Sequence, residues 1–233
     1  MINGINSREM ILEILLEIEE GEHSHVSIRN ALSKYQFLPK QDRAFITRVC
    51  EGTLEYRIQI DYIINSFSKV TVDKMKPAIR EILRSAVYQL KYMDSVPDSA
   101  VCNEAVKLAQ RKGFYNLKPF VNGVLRTIAR EMDQVRFPQK EDDLLKYLSV
   151  KYSMPEVLVT RWLEAYGEET TEKILADFLM EHPLTIRCRT YLNSKEEVIK
   201  SLESQGVHVA PAPYLPYAYS ISEFNHILAL DAF

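Results

Sequence analysis

Apolar residues recur with helical spacing through the first 130 residues of the chain. The first such segment has one apolar face, which is formed by Met10, Ile11, Ile14, Leu15 and Ile18. Asn6 precedes the segment as a candidate N-cap, with Glu9 at the spacing of a capping box, and Gly21 follows as a stop signal. The pattern predicts a helix between these boundaries.

The same spacing predicts further helices whose ends are marked by proline and glycine. They cover residues 24–35, 39–68 with a break near Arg57, 77–92, 98–113 and 119–131. Pro77 and Pro119 suit the first turn of a helix, and Gly113 suits a helix end. Because β-branched alternation is nearly absent here, residues 1–132 are predicted to form a compact all-helical domain.

The pattern changes twice after this block. Residues 133–182 begin with a polar stretch and then regain helical spacing on both sides of Gly167, which predicts a helical connecting unit. Strand-like alternation at 184–190, a helix from Ser194 to Gly206, and strands at 207–210 and 218–221 predict a small, incomplete α+β piece of the RRM or ferredoxin-like type over 183–233. The fold class is therefore mainly α. The apolar run at Phe233 leads us to expect that the natural sequence continues.

Composition narrows the class of protein. Hydrophobic residues make up 46% and charged residues 26% of the 233-residue chain, as in ordinary globular proteins. No apolar stretch reaches 18 residues, and no basic leader precedes an apolar segment, so we expect no membrane span and no export. Three cysteines without a C-x-x-C pair suit a reducing cytoplasm.

The charge is unevenly distributed along the chain. Residues 23–130 contain 18 Lys and Arg against 9 Asp and Glu, whereas residues 131–233 contain 10 against 17. A basic region confined to one predicted domain favours a surface for a polyanion such as RNA, although a solvated charged face is the alternative. The candidate RNA-binding residues are Arg80, Arg84, Lys107, Arg111, Lys112, Lys118, Arg126 and Arg130. Phe114 and Tyr115 are candidates for stacking on unpaired bases.

Catalytic and metal-binding signals are weak. His23 and His25 have no further ligand at suitable spacing, and no glycine-rich phosphate loop occurs. Cys50 and Cys102 stand among apolar helical neighbours, where a small buried side chain is the simpler interpretation. We therefore predict no catalytic, cofactor-binding or metal-binding residues in this chain.

Several segments together resemble the NusB-type RNA-binding domain over about residues 6–131. The segments are Asp42-Arg43-Ala44-Phe45, Arg80-Glu81-Ile82-Leu83-Arg84, Tyr88-Gln89-Leu90, Val96-Pro97, 100–106 and 120–126. The combination is specific, although each piece alone is not. The resemblance implies an all-helical fold, RNA binding and a capacity for self-association that the sequence leaves open.

The segments that follow extend the resemblance. They are Tyr152-Ser153-Met154-Pro155, Arg161–Gly167 and Pro183–Arg187, and their order is similar to the N-terminal region of RsmB/Sun-type rRNA cytosine methyltransferases. That family implies 16S rRNA as partner and S-adenosylmethionine as methyl donor to the 5-carbon of cytosine, with two catalytic cysteines. The family's Pro-Cys and Thr-Cys motifs are not found here, because Val49, Val101 and Arg187 precede the three cysteines.

The resemblance therefore implies an rRNA-binding and positioning region, with the cofactor site and catalysis in a domain outside these residues. A NusB-like transcription antitermination adapter, which binds RNA and a protein, is the alternative. A helical interaction module without an RNA role is a third possibility. Residues 150–233 distinguish the first two, because an adapter does not need them.

Overall fold

The computed structural model describes residues 6–35, 38–189, 191–224 and 227–232. The chain forms two compact units, Met1–Phe178 and Leu179–Phe233. The predicted connecting unit thus belongs mostly to the first unit. No helix within the described ranges combines the length and hydrophobicity needed to cross a membrane.

Seven helices of the first unit follow the predicted order. They are α1 (Ser7–Glu19), α2 (Ser24–Lys34), α3 (Lys40–Glu55), α4 (Arg57–Phe67), α5 (Pro77–Tyr92), α6 (Asp98–Arg111) and α7 (Lys118–Glu131). These bounds confirm the helices that the apolar spacing predicted, including the break at Tyr56 between α3 and α4. Proline and glycine were reliable markers because each acts on the local backbone, independently of distant contacts.

Local capping explains several helix ends. The Asn6 carboxamide oxygen accepts hydrogen bonds from the backbone N–H groups of Arg8 (2.9 Å) and Glu9 (3.3 Å), which satisfies two donors of the first turn of α1. Gly21 and Gly113 follow α1 and α6 with φ of +111° and +85°, a conformation in which a side chain would be strained.

Helix α5 occupies the centre of the first unit. Every residue from Ile79 to Gln89 is buried except Arg80, which is half-buried, and α5 packs against α1, α3, α4, α6 and α7. Fully buried side chains such as Leu83 and Val87 each contribute roughly 1.5–3 kcal/mol relative to an exposed position. The surrounding helices therefore place their polar faces outward around this core.

Two more α-helices follow α7 in the described part of the first unit. Helix α8 (Leu144–Lys151), which the sequence patterns missed, is followed by α9 (Glu156–Phe178), which is kinked at Gly167 with φ of +74°. The Gln59 side chain of α4 donates hydrogen bonds to the carbonyl groups of Val150 and Lys151, both at 3.1 Å. These bonds join α8 to α4, so the end of the predicted NusB-like domain is not an end of the compact unit.

The second unit is a small α+β arrangement, as predicted. It contains β1 (Leu184–Arg187), α10 (Lys195–Ser204), β2 (His208–Pro211) and β3 (Ala218–Ser222). Strand β3 lies between β1 and β2 and is antiparallel to both. Helix α10 begins with a complete capping box between Ser194 and Glu197. Strand β1 ends at Arg187, before the predicted end at Thr190, a residue that lies outside the described ranges.

Candidate nucleic-acid interface

The exposed face of α6 carries two of the candidate cations. The buried face of this helix consists of Val101, Cys102, Ala105, Leu108 and Ala109. This apolar spacing turns Asn103, Lys107 and Arg111 toward solvent, at successive turns of the helix. Lys107 and Arg111 are therefore available for contacts with phosphate groups.

Helix α7, which packs beside α6, presents two more cations in the same way. Its buried residues are Val121, Val124, Leu125 and Ile128, so Arg126 and Arg130 are exposed one turn apart. The Arg126 Nε donates to the Asn122 carboxamide oxygen at 2.9 Å, and Arg130 pairs with Glu131 at 2.6 Å. The Arg130 side chain remains 71% exposed, so a phosphate can compete for its guanidinium group.

The turn between α6 and α7 adds aromatic surface to these cations. Tyr115 is 61% exposed, and Phe114 is half-buried. Lys118, at the start of α7, is also half-buried. A protruding tyrosine beside exposed cations is suited to stacking on an unpaired base while the cations hold the backbone.

Acidic side chains partly neutralise the α6 end of this surface. The Lys112 ammonium lies 3.2 Å from a Glu9 carboxylate oxygen and 3.0 Å from one of Glu13, which ties it to α1. Lys107 lies 2.7 Å from Glu104, and its hydrogen bond, with help from nearby Arg8 and Arg111, lowers the pKa of Glu104. Lys112 thus connects helices, whereas Lys107 keeps a mostly exposed side chain.

Arg80 and Arg84 are placed differently from the other candidates. Among the candidate RNA-binding residues, Arg84 does not face solvent, because it is only 9% exposed. Its guanidinium donates to both carboxylate oxygens of Asp61, from Nε at 2.7 Å and from Nη2 at 2.6 Å, and from Nη1 to Glu81 at 2.5 Å. The physical reason is that α5 is surrounded by other helices, so even its charged residues are enclosed.

Arg80 is also engaged within the protein. It pairs with Glu19 of α1 and donates from Nη1 to the carbonyl group of Val72 at 3.1 Å. The structure therefore gathers Lys107, Arg111, Lys118, Arg126 and Arg130 on α6 and α7, which we call the α6–α7 surface. Arg80 and Arg84 instead form ion pairs with acidic residues of other helices, and Lys112 forms ion pairs with two glutamates of α1.

One cation of this region was missed by the sequence patterns. Lys76, the exposed N-cap residue of α5, places its ammonium group 5.9 Å from the centroid of the Phe114 ring. This cation–π contact brings Lys76 to the turn between α6 and α7. Nothing in the spacing indicates the contact, because the two residues are far apart in sequence and meet only through the packing of α5 on α6.

The cysteines and histidines have no arrangement suited to catalysis or metal binding within the described ranges. Cys50, Cys102 and Cys188 are buried, and burial raises the pKa of each thiol, so the reactive thiolate form is disfavoured. Among the residues that the structure describes, no group of three or more His, Cys, Asp or Glu side chains lies close enough to hold a metal ion.

Comparisons with known proteins match both units of the chain. Residues 5–130, more than half of the chain, match the family model described as the NusB family. Residues 154–227 match the model described as the RsmF/B-like methyltransferase ferredoxin-like domain. The two matches follow each other along the chain without overlap.

Individual relatives match either most of the chain or only its NusB-like part. The probable ribosomal RNA small subunit methyltransferase B of Bacillus subtilis is 32% identical over 87% of this chain and 44% of its own length. The transcription antitermination protein NusB of Dictyoglomus thermophilum is 33% identical over 55% of this chain and 85% of its own. The chain thus spans less than half the length of the first relative.

A solved structure shares the arrangement of the fold. The crystal structure of PH0851 superposes with a TM-score of 0.69, and the match covers 99% of this chain and 52% of the PH0851 chain. The two sequences are 22% identical, so the likeness concerns the fold alone.

Proposed function

Because the chain belongs to the NusB family, we propose that it binds small-subunit (16S) ribosomal RNA and positions it for methylation by a catalytic domain outside these 233 residues. The reaction proposed for that domain is methyl transfer from S-adenosylmethionine to the 5-carbon of a cytosine. The observation that carries the proposal is the RsmF/B-like ferredoxin-like match at 154–227, which follows the NusB match at 5–130 along the chain.

The α6–α7 surface supplies the physical basis for RNA binding. Its five cations lie on two neighbouring helices, four of them with exposed side chains, and phosphate contacts from such groups release counterions from the RNA. Tyr115 adds a stacking group at the turn between the helices. Cations would fix the register of the RNA backbone, and the aromatic ring would favour a site with unpaired bases.

The buried thiols support a positioning role rather than a catalytic one for this chain. Methyl transfer to the 5-carbon of cytosine requires a thiolate that can reach the base, and each cysteine here is enclosed in a hydrophobic core. The proposal therefore assigns the catalytic thiolate to the domain outside these residues, and the cofactor with it, because the methyl donor must lie beside the reacting base.

The antitermination adapter is disfavoured by the extent of the matches. The NusB relative is matched over 55% of this chain, whereas the methyltransferase relatives from Bacillus and Synechocystis are matched over 87% and 91%. An adapter leaves the second unit without a role. The methyltransferase proposal gives that unit the place of the ferredoxin-like domain.

Salt-dependent binding tests the RNA-binding part of the proposal. Fluorescence anisotropy with small-subunit rRNA fragments should show affinity that falls steeply between 50 and 200 mM salt, roughly 10-fold or more for several phosphate contacts. Replacing Lys107, Arg111, Arg126 and Arg130 by glutamine should weaken binding and flatten the salt dependence.

The matched control removes the same charge elsewhere, by glutamine at the exposed residues Lys69, Lys74, Lys146 and Lys200. If both quadruple variants lose affinity equally, or if the unchanged chain shows a flat salt response, the assignment of RNA to the α6–α7 surface is wrong.

Calorimetry tests the assignment of the cofactor. Titration of S-adenosylmethionine into this chain should give only the heat of dilution. A saturable heat with one site would contradict the proposal that the cofactor binds outside these residues.

A further inference from the structure

A cavity of about 250 Å³ lies in the first unit, and none of its lining residues belongs to the α6–α7 surface. Its walls come from α4, α5, α8 and the segment 137–139, which crosses between α7 and α8. Lys91 and Lys151 contribute the ammonium groups of the wall, and Phe137, Pro138 and Tyr147 contribute apolar surface. A pocket with several apolar walls and a few charged groups is the usual form of a small-molecule site.

Lys91 is the charged group without an internal counter-ion. Its ammonium group lies 5.4 Å from the ring centroids of both Phe137 and Tyr92, and within the described ranges no carboxylate lies at ion-pair distance from it. Burial lowers the pKa of Lys91, with only longer-range attraction from Asp133 opposing the shift. An anion bound in the cavity would stabilise the charged form of Lys91.

The other polar groups of the wall are already engaged. Lys151 lies 3.0 Å from a Glu172 carboxylate oxygen and donates to the Tyr147 hydroxyl at 2.6 Å. The Gln59 amide donates to two carbonyl groups of α8, and its oxygen accepts from the Tyr92 hydroxyl. These contacts hold the wall in shape and leave Lys91 as the cation available to a ligand.

The dimensions of the cavity select the class of anion. An inorganic phosphate bound at Lys91 would leave the apolar wall of Phe137, Pro138 and Tyr147 uncovered. A cavity of about 250 Å³ is slightly smaller than most ligand pockets, which suits a small ligand with a single-ring base rather than a large cofactor. A nucleotide with a single-ring base and one phosphate on its sugar satisfies both the ammonium group and the apolar wall.

We propose that this cavity binds a single pyrimidine nucleotide, with its phosphate at Lys91 and its base against Phe137, Pro138 and Tyr147. The nucleotide is either free or an unstacked residue of bound RNA. In the second case the inference rests on the proposed function, since the RNA must first be held on the protein.

Nuclear magnetic resonance of the whole 233-residue chain tests the site directly. Cytidine 5′-monophosphate should cause saturable shifts of the amide signals of residues 137–139 and of α8. Cytidine without phosphate, and inorganic phosphate without a ring, should each bind at least ~10-fold more weakly, because a charge-assisted contact or the apolar contact is then missing. Absence of saturable shifts with the monophosphate would overturn the proposal.

Variants test the role of the ammonium group. Lys91→Met keeps most of the apolar stem of the side chain but removes the charge, so it should weaken binding of the monophosphate ~10-fold, whereas Lys91→Arg should retain most of the affinity. Lys69→Met removes the same charge from an exposed position outside the cavity and should have no effect. Equal affinity of Lys91→Met and Lys69→Met would also overturn the proposal. If Lys91→Met does not fold, the proposal is tested by the titrations of the unchanged chain with cytidine 5′-monophosphate, cytidine and inorganic phosphate.

A titration with RNA distinguishes a free nucleotide from a nucleotide of bound RNA. It also separates the proposed RNA-binding function from the proposed cavity site. If an rRNA fragment shifts the same amide signals and Lys91→Met weakens its binding, the occupant is a nucleotide of the RNA. If only the free monophosphate shifts them, the occupant is a free nucleotide. Loss of RNA binding in the α6–α7 variant without any monophosphate binding would retain the proposed function and reject the cavity. Monophosphate binding without salt-dependent RNA binding would retain the cavity as a nucleotide site and reject the proposed function.

Discussion

Arg84 of α5 and Asp61 of α4 form a two-point ion pair, with Nε to Oδ1 at 2.7 Å and Nη2 to Oδ2 at 2.6 Å. Glu81 accepts from the third nitrogen, so the guanidinium group is surrounded by carboxylates in a mostly buried position. The planar fork of arginine matches this geometry, which a lysine would not reproduce. The pair joins two core helices and is structural in character.

Replacing Arg84 by methionine should lower the stability of the first unit. The substitution leaves Asp61 and Glu81 without their partner in a poorly solvated position, which costs about 3 kcal/mol in comparable buried pairs. Urea denaturation followed by circular dichroism measures the change. Arg130→Met, at an exposed position, should change stability by less than about 0.5 kcal/mol. Equal stability of the two variants would show that Arg84 is not structural.

The location of Arg84 shows where reasoning from sequence reached its limit. Arg80 and Arg84 are four residues apart on α5, so helical spacing puts them one turn apart on the same side of the helix. Whether a polar face meets water depends on the neighbouring helices, and α5 is enclosed by five of them. Asp61 lies on α4 next to the buried residues Ile60 and Ile63, but its pairing with Arg84 depends on tertiary packing.

Most features set by neighbouring residues were predicted from the sequence, whereas features set by contacts between distant segments were missed. Proline, glycine and capping residues located helix ends because they act within a few residues, as Pro77 and Gly113 illustrate. Helix α8 was missed because a polar stretch precedes it and the helix is only eight residues long, although Asp143 caps it by accepting from the Lys146 N–H at 2.9 Å. The cavity at Lys91 was missed because its walls come from four separate segments.

Gly52→Ala should destabilise the contact between α3 and α5. The Tyr88 ring packs directly on Gly52, and a β-carbon there would overlap the ring. We expect a loss of about 1–3 kcal/mol, as for other overpacked core positions.

Gly123→Ala is the matched control, because nothing lies near its β-carbon position on the exposed face of α7. This substitution should raise stability by about 0.5–1 kcal/mol through helix propensity. Thermal unfolding of both variants measures the difference. A stabilised Gly52→Ala protein would contradict the close approach of Tyr88.

Glu172 of α9 should contribute a pH-dependent part of stability. Hydrogen bonds from Lys151, then from Lys140 and Tyr152, lower its pKa from 4.5 to about 2. The folded state thus binds the proton more weakly than the unfolded state, so the contribution is complete above about pH 4.5 and is lost as the pH falls toward 2.

We therefore expect Glu172→Gln to be less stable than the unchanged protein by about 1 kcal/mol at pH 7, with a difference that shrinks between pH 4.5 and 3. Urea unfolding at several pH values measures it. Glu169→Gln, which removes an exposed pair with Lys173, should have a smaller effect. A difference that is constant with pH would show that the carboxylate charge is not responsible.

Tyr115→Ala should weaken binding to rRNA fragments that contain unpaired loops by roughly 10-fold, because stacking on an aromatic ring contributes about 1–3 kcal/mol per base. Tyr115→Phe keeps the ring and should bind as the unchanged chain does. Since no cation is removed, the salt dependence should keep its slope in both variants. Fully paired RNA of the same length should not distinguish them, because its bases are not free to stack. Anisotropy measured with both RNA types separates stacking from charge, and equal losses on paired and unpaired RNA would place Tyr115 outside the base-binding site.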